Sequence, residues 1–330
     1  MDPNDKTGDK ARNPDAIDDA TSPADEVQAE PAPASPEPDE ESMRNLNYSF
    51  KQICQRNRDG SYATQVARER ILTLCADQLH ERGYRLESAH SLKPKHVYAL
   101  AERWKAEGLS PGTMKNRLAE LRWVAEKIGK QNIVARDNDR YEIDERTFVT
   151  NVSKARELTA GDLAKVTDPY SAMSLRLQPP FGLRREESIK IIPAWADRGD
   201  RLLLRDTWTK GGRARSIPIR TAEQRQVLEE AKALAGKGSL IPADLTYVQQ
   251  LRRFEYQCSK AGIHKVHGHR HLYAQERYKE LTGWECPARG GPTAAQLTPH
   301  QKQRDKAARI VVARELGHER LQIVAVYLGR

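Results

Sequence analysis

The fold and the chemistry of this 330-residue chain turn on eight residues, His264-Lys265-Val266-His267-Gly268-His269-Arg270-His271. Four histidines so close together invite a metal. Yet no cysteine or acidic residue inside the stretch completes a ligand set, and the Arg270 cation would repel a metal ion. His267 and Arg270 stand three apart, so a helix presents both on one side. An imidazole beside a guanidinium suits a phosphate, and no metal is expected.

Three further pieces flank this one. Upstream, Gly182-Leu183-Arg184-Arg185-Glu186-Glu187 places Arg184 and Glu187 three apart, where a carboxylate can fix a guanidinium in one orientation. Alone it has the form of an ordinary surface ion pair. Between the two, Leu202–Thr207 and Ser216–Ile219 read as short strands around Lys210-Gly211-Gly212-Arg213-Ala214-Arg215, a hairpin with a basic, glycine-containing turn. Such a turn can push Lys210 toward a reacting oxygen, or merely solubilise it. Downstream come Leu316-Gly317-His318 and, nine residues on, Tyr327. An unbroken helix would set His318 and Tyr327 on opposite faces, so a turn is expected at Gly317.

Composition agrees with a polyanionic partner. Residues 1–42 carry 13 acidic and 3 basic residues, and the remainder has a net charge of +19. A body this basic points to nucleic acid. Residues 1–43 read as an acidic, Pro- and Ala-rich disordered tail. Its polar start does not read as a secretory leader, and no apolar run approaches a membrane span. The four scattered cysteines (Cys54, Cys75, Cys258, Cys286) form no C-x-x-C pair, which suits a reduced compartment.

Residues 44–130 read as a helical domain. Three apolar stripes are expected to form its core: Ala63, Val66, Ala67, Ile71, Leu74, Cys75 and Leu79; Val97, Leu100, Ala101 and Trp104; and Met114, Leu118, Leu121, Ala125 and Ile128. Ser110 and Pro111 open the third helix and Gly129 stops it. Its other faces carry Lys115, Arg117, Arg122 and Lys127, expected to meet DNA together with Arg213 and Arg215 of the hairpin. Residues 131–157 read as a linker and 158–330 as a second domain, opened by a capping box from Thr159 to Asp162. The fold class is mainly α with a small β-hairpin.

Arg184, Lys210, His267-x-x-Arg270, His318 and Tyr327, in this order, resemble the catalytic set of the tyrosine recombinase, or phage integrase, superfamily. Region 44–130, with its Ser110-Pro111-Gly112-Thr113 helix start, is similar to that family's core-binding domain, so the resemblance covers nearly everything after residue 43. It implies a site-specific recombinase that cuts and rejoins DNA through a 3′-phosphotyrosyl intermediate, for integration or excision of a mobile element. Tyr327 would be the nucleophile, and Arg184 and Arg270 would bind the non-bridging oxygens. Lys210 would protonate the leaving 5′-oxygen, His267 would assist proton transfer, and His318 would hydrogen-bond the phosphate. Glu187 would orient its neighbours. No cofactor is implied. The implied partners are double-stranded DNA, further copies of the chain in a tetramer on DNA, and an accessory DNA-bending factor, with no membrane. The implied location is cytoplasmic, with the nucleoid. The alternatives are a non-catalytic DNA-binding protein of the same fold and a type IB-like topoisomerase.

The chain departs from the family pattern in three places. Arg270 and His318 are 48 residues apart, with a Gly/Pro-rich stretch from Thr282 to Pro299 read as an inserted loop. His269 stands where the family usually has an apolar residue, most often leucine. Family members continue after the tyrosine with a segment that docks on a neighbouring subunit, whereas three residues follow Tyr327 here.

Overall fold

The computed structural model describes residues 38–330, and side chains from residue 45. The tail reading therefore lies outside the described residues up to 37. The first helix, α1 (Pro38–Arg56), begins inside the stretch read as tail. The chain divides into two compact units, one ending at Arg146 and the other running from Thr147 to Arg330.

The first unit packs α1, α2 (Tyr62–Glu81), α3 (Pro94–Ala106) and α4 (Pro111–Lys127) around one core. Ser110 caps α4 as expected, its hydroxyl accepting from the Thr113 N–H at 3.2 Å, with Pro111 in the first turn. Trp104 is fully buried and donates its indole N–H to Gln78 at 2.8 Å.

The second and third stripes enter the core, apart from the half-buried Ile128, but the first does so only at its end. On α2 the buried face is Arg68, Leu72, Cys75, Ala76 and Leu79. Val66 is 50% exposed. Ala63, Val66, Ala67, Ile71 and Leu74 instead line an open groove of about 700 Å³ with Asn116 and Arg117 of α4. The physical reason is Arg68. Its guanidinium bonds Glu120 of α4 at 2.7 Å and lies 4.0 Å over the Trp123 ring. That pairing turns the helix so that a cation with partners faces inward and the alanine-rich face stays out.

Residues 131–157, read as a linker, are shared between the units. Ile133, Val134, Tyr141 and Ile143 belong to the first core. Arg156, in the second unit, donates its N–H to the Gly268 carbonyl at 3.1 Å.

The second unit begins with α5 (Ala160–Leu163), capped by Thr159, and continues through α6 (Pro169–Arg176), α7 (Gln178–Phe181), α8 (Arg185–Lys190) and α9 (Pro193–Ala196). The antiparallel pair β1 (Arg201–Leu204) and β2 (Arg215–Pro218) follows, in the register Leu202↔Ile217 and Leu204↔Arg215. The first strand is shorter than expected. Asp206–Trp208 forms a helical turn instead, with the Asp206 carboxylate accepting the Thr207 N–H at 2.7 Å and Trp208 folded into the core. Then come α10 (Ala222–Ala235), α11 (Tyr247–Ala261), α12 (Gly268–Thr282), α13 (Pro299–Glu315) and the short α14 (Ala325–Leu328). Among the described residues, no helix is long and apolar enough to cross a membrane.

The stretch from Thr282 to Pro299, read as an insertion, is packed rather than loose. Cys286 and Ala288 are buried in the same core as Tyr327. A Cβ on Gly329 would stand 2.8 Å from the Ala288 nitrogen, so the turn at Pro287–Arg289 supports α14 from beneath.

Candidate active site

Tyr327 lies on α14 and is 5% exposed. Three imidazoles surround it, with ring centroids at 5.9 Å (His267), 4.6 Å (His271) and 5.5 Å (His318). Its hydroxyl sits 3.4 Å from the His267 Nε2 and 3.4 Å from the Arg270 Nε. Both contacts are at the long end for a hydrogen bond, and groups of this kind tighten when a substrate is bound.

The local sequence explains how these groups meet. His267 is the N-cap of α12, so Arg270 and His271 fall in its first turn. Gly317 takes the left-handed φ of +67° just after α13, which reverses the chain before His318. The turn expected there is present. It lets His318 and Tyr327 converge although nine residues separate them.

Arg270 is the structural hinge of the site. Its residue exposure is 0%. One terminal nitrogen donates to the Gly182 carbonyl and the other to the Leu316 carbonyl. A single guanidinium thereby joins the Gly182–Glu187 segment, α12 and the Leu316–His318 turn. Its cationic form is disfavoured by burial and by the nearby Arg215 and Arg184 charges, which bring its pKa down to about 10. It remains a cation at neutral pH. Gly182, at φ +59°, is required where it stands, since a Cβ would lie 2.6 Å from the Tyr273 ring.

Glu187 is fully buried on α8. One carboxylate oxygen accepts from the Arg184 side chain and the other from the Arg184 backbone N–H, both at 2.7 Å. Arg215 adds a bidentate pair at 2.6 and 2.7 Å. Burial alone would raise the Glu187 pKa. The Arg215 hydrogen bonds and charge, then Arg270 and Arg184, outweigh it and hold the carboxyl at about 2. Two guanidiniums thus bond one carboxylate with a third charge nearby, and the surplus positive charge is complementary to a phosphate.

The histidines are held neutral. Burial, then the Arg270 and Arg184 charges, lower the His267 pKa. Burial and the same arginines, with Arg215, lower His318 to about 4. Burial, then His267, lowers His271 to about 4. A neutral His267 whose Nε2 faces the tyrosine hydroxyl can accept its proton.

The structure therefore brings together Arg184, Glu187, His267, Arg270, His318 and Tyr327. It does not bring Lys210 to them. Lys210 stands exposed in the loop between β1 and β2 and makes no contact with the other five catalytic candidates. Two residues expected to meet DNA have partners within the protein. Arg215 points inward, because its register partner Leu204 faces the core, and its guanidinium is committed to Glu187 and to the Glu315 carbonyl. Arg122 donates to the Ala135 carbonyl at 2.9 Å and to the Asn138 side chain at 2.8 Å, which pins residues 135–138 to α4. Lys127 pairs with Asp59 at 2.8 Å, the Arg117 guanidinium lies 5.3 Å over Trp104, and Arg213 pairs with Glu319. Lys115 is half-buried in the first half of α4.

His271, which ends the box His267-x-x-Arg270-His271 and was given no role, also stands at the site, four residues after His267 on the same helix face. Gln275 was not expected. It is buried and donates to the Tyr327 carbonyl at 2.9 Å while accepting from the Ser153 hydroxyl at the same distance. His269 is buried, with Nδ1 2.9 Å from the Arg156 carbonyl. A hydrogen-bonding residue at this position thus ties the start of the second unit to α12. Among the described residues, no group of His, Cys, Asp or Glu is arranged to hold a metal ion.

Comparison with known proteins places this arrangement. A family model described as phage integrase, N-terminal, matches residues 43–134, and one described as integrase matches residues 145–276. The chain belongs to the phage integrase family of tyrosine recombinases. Its enzyme class is that of the family, site-specific cleavage and rejoining of DNA. The second match takes in Arg184, Glu187, Lys210, His267 and Arg270, while His318 and Tyr327 lie beyond it. No curated protein matches the recombinase. Solved structures share its fold. A lambda integrase dimer bound to a COC′ core site is 14% identical, with a TM-score of 0.55, covering 86% of this chain and 96% of that one. The Tn1549 transposon integrase in complex with circular intermediate DNA is 16% identical, with a TM-score of 0.50, covering 87% and 95%. XerH recombinase bound to difH substrate, a pre-cleavage complex, is 16% identical, with a TM-score of 0.51, covering 85% and 81%.

Proposed function

We propose that this recombinase integrates or excises a mobile element by exchanging strands through Tyr327. The observation that carries the assignment is the tyrosine hydroxyl set between the Arg270 Nε and the His267 Nε2, each 3.4 Å away. In the forward step the Tyr327 oxygen attacks the scissile phosphorus and forms a P–O bond. Its proton passes to His267. The bond to the 5′-oxygen breaks, and Lys210, carried inward by its hairpin, protonates that oxygen. Arg184 and Arg270 hold the non-bridging oxygens as charge builds, with His318 as a further donor. The phosphotyrosyl ester keeps the energy of the broken bond, so attack by a 5′-hydroxyl of another strand reverses the chemistry and rejoins DNA.

Lys115, Arg117, Lys127 and Arg213 are the cations proposed to meet the phosphate backbone. Double-stranded DNA, a tetramer of this chain and an accessory DNA-bending factor are the proposed partners. Location with the bacterial-type nucleoid follows from the same reading.

The test is covalent trapping in host cells. Lysates of cells expressing the wild type and Tyr327→Phe are denatured, the protein is purified, and any attached DNA is sequenced. DNA attached to the wild type alone is the expected result. Attachment to neither, with ordinary DNA binding by both, would identify a binding protein that lacks the reaction. Recovery of one site joined to a second DNA segment separates recombination from simple relaxation of supercoils.

A further inference from the structure

Arg215 carries a cation into the protein at a position where a DNA contact was expected. It leaves β2 five residues after Lys210, and its side chain is 5% exposed. Both terminal nitrogens bond Glu187, and Nε donates to the Glu315 carbonyl at 3.0 Å, on the peptide that leads into Leu316-Gly317-His318. Gly317 crosses it so closely that a Cβ there would stand 2.9 Å from the Arg215 Cδ. The side chain thus originates on the strand that follows Lys210 and ends on two other segments of the site.

We propose that Arg215 is a positioning residue for Arg184, acting through Glu187. This rests on the reading that Arg184 binds the scissile phosphate. A buried carboxylate needs compensating charge. If Arg184 alone supplied it, the Arg184 guanidinium would be drawn fully onto Glu187. With Arg215 taking both carboxylate oxygens, Arg184 is held by one side-chain bond at 2.7 Å and keeps its other N–H donors for substrate. Lysine cannot replace this geometry, because a point charge reaches one acceptor whereas the planar fork reaches two oxygens and a carbonyl together.

The experiment uses the full chain and the DNA site recovered from wild-type adducts. Cleavage is measured in a single turnover on two substrates. One carries the natural scissile phosphate. The other carries a methylphosphonate there, whose missing negative charge lowers the need for a guanidinium. Arg215→Met is expected to slow cleavage of the phosphate by about 100-fold, by analogy with loss of one transition-state donor, with DNA affinity within about twofold of wild type. On the methylphosphonate the deficit shrinks to under about tenfold. Adding Arg215→Met to Arg184→Ala costs no more than about a further threefold, because groups acting as a unit are not additive. If Arg215→Met does not fold by circular dichroism, Arg215→Lys keeps the charge and is read the same way. Its expected deficit is about tenfold, relieved on the methylphosphonate.

Equal deficits on both substrates, or losses that multiply with Arg184→Ala, would assign Arg215 a merely structural role and overturn the inference. Wild-type cleavage unchanged in Arg215→Met overturns it as well. If wild type forms no adduct at all, the functional reading falls first and takes this one with it.

Discussion

The two units put arginine to different uses. In the first unit, Arg68 and Arg117 rest on the rings of Trp123 and Trp104, and Arg122 closes a surface turn. Arg68 is buried and also bonds Glu120, whereas Arg117 and Arg122 are half-buried. In the second unit, Arg215 and Arg270 are buried, and their donors go to a carboxylate and to backbone carbonyls. The net positive charge of the chain says nothing about which of these a given arginine will be. What separates them is where the acceptors lie. In the second unit they belong to segments that meet at the site, whereas in the first they tie neighbouring helices and a turn to one another.

The sharpest break of this comparison is Arg270→Lys. It keeps the charge but loses the fork between Gly182 and Leu316, and cleavage of the trapped site should fall by about 10²–10³. Single-turnover kinetics check this, and near-wild-type rates would show that charge alone suffices. The next effect is on stability. Gly182→Ala forces a left-handed residue and a clash with Tyr273, at a cost of about 2 kcal/mol or more. Calorimetry should then show a Tm lower by roughly 4–8 °C, and an unchanged Tm would mean that Tyr273 yields freely.

Acid gives a third contrast. His271 and His318 titrate near 6.5 when unfolded and near 4 when folded, so stability present above pH 6.5 is lost as the pH falls toward 4. Glu187, with its pKa held at about 2, adds stability present above about 4.5 that is lost between there and about 2. Thermal unfolding followed against pH should show this two-stage loss in the second unit. A Tm constant from pH 7 to 4 would contradict it. The smallest effect belongs to the first unit. Lys115→Ala should lower the slope of log affinity against log salt by about 0.9, with cleavage at saturating DNA unchanged. A cleavage defect there would erase the distinction between the two regions.

Much of the candidate site was legible in the sequence, because each of its boxes is local. His267 and Arg270 needed only a helix to share a face, and Gly317 announced the turn that admits His318. Arg215 was misread, although the signal was present. Ile217 faces the core, and the period of two along a strand puts Arg215 on the same side. A charged residue outranked the alternation in that reading. On α2 the error was the reverse. Alanine and valine at helical spacing were read as core, while the buried face was chosen by Arg68 and its partner Glu120, 52 residues away. Such a pairing cannot be seen from periodicity. The bracket at Cys286–Arg289 was equally hidden, since its support of α14 depends on a close approach to Gly329.

The grip of Gln275 on the Tyr327 carbonyl has a dynamic consequence. The Gly329 carbonyl, two residues on, is likewise held by Arg309 at 2.9 Å, so the backbone at and just after the proposed nucleophile is anchored. Bringing the tyrosine oxygen onto a phosphate is then a matter of torsion about its own side-chain bonds. Motions of that kind run in picoseconds to nanoseconds for exposed rings and more slowly for buried ones, but they require no unfolding of the segment.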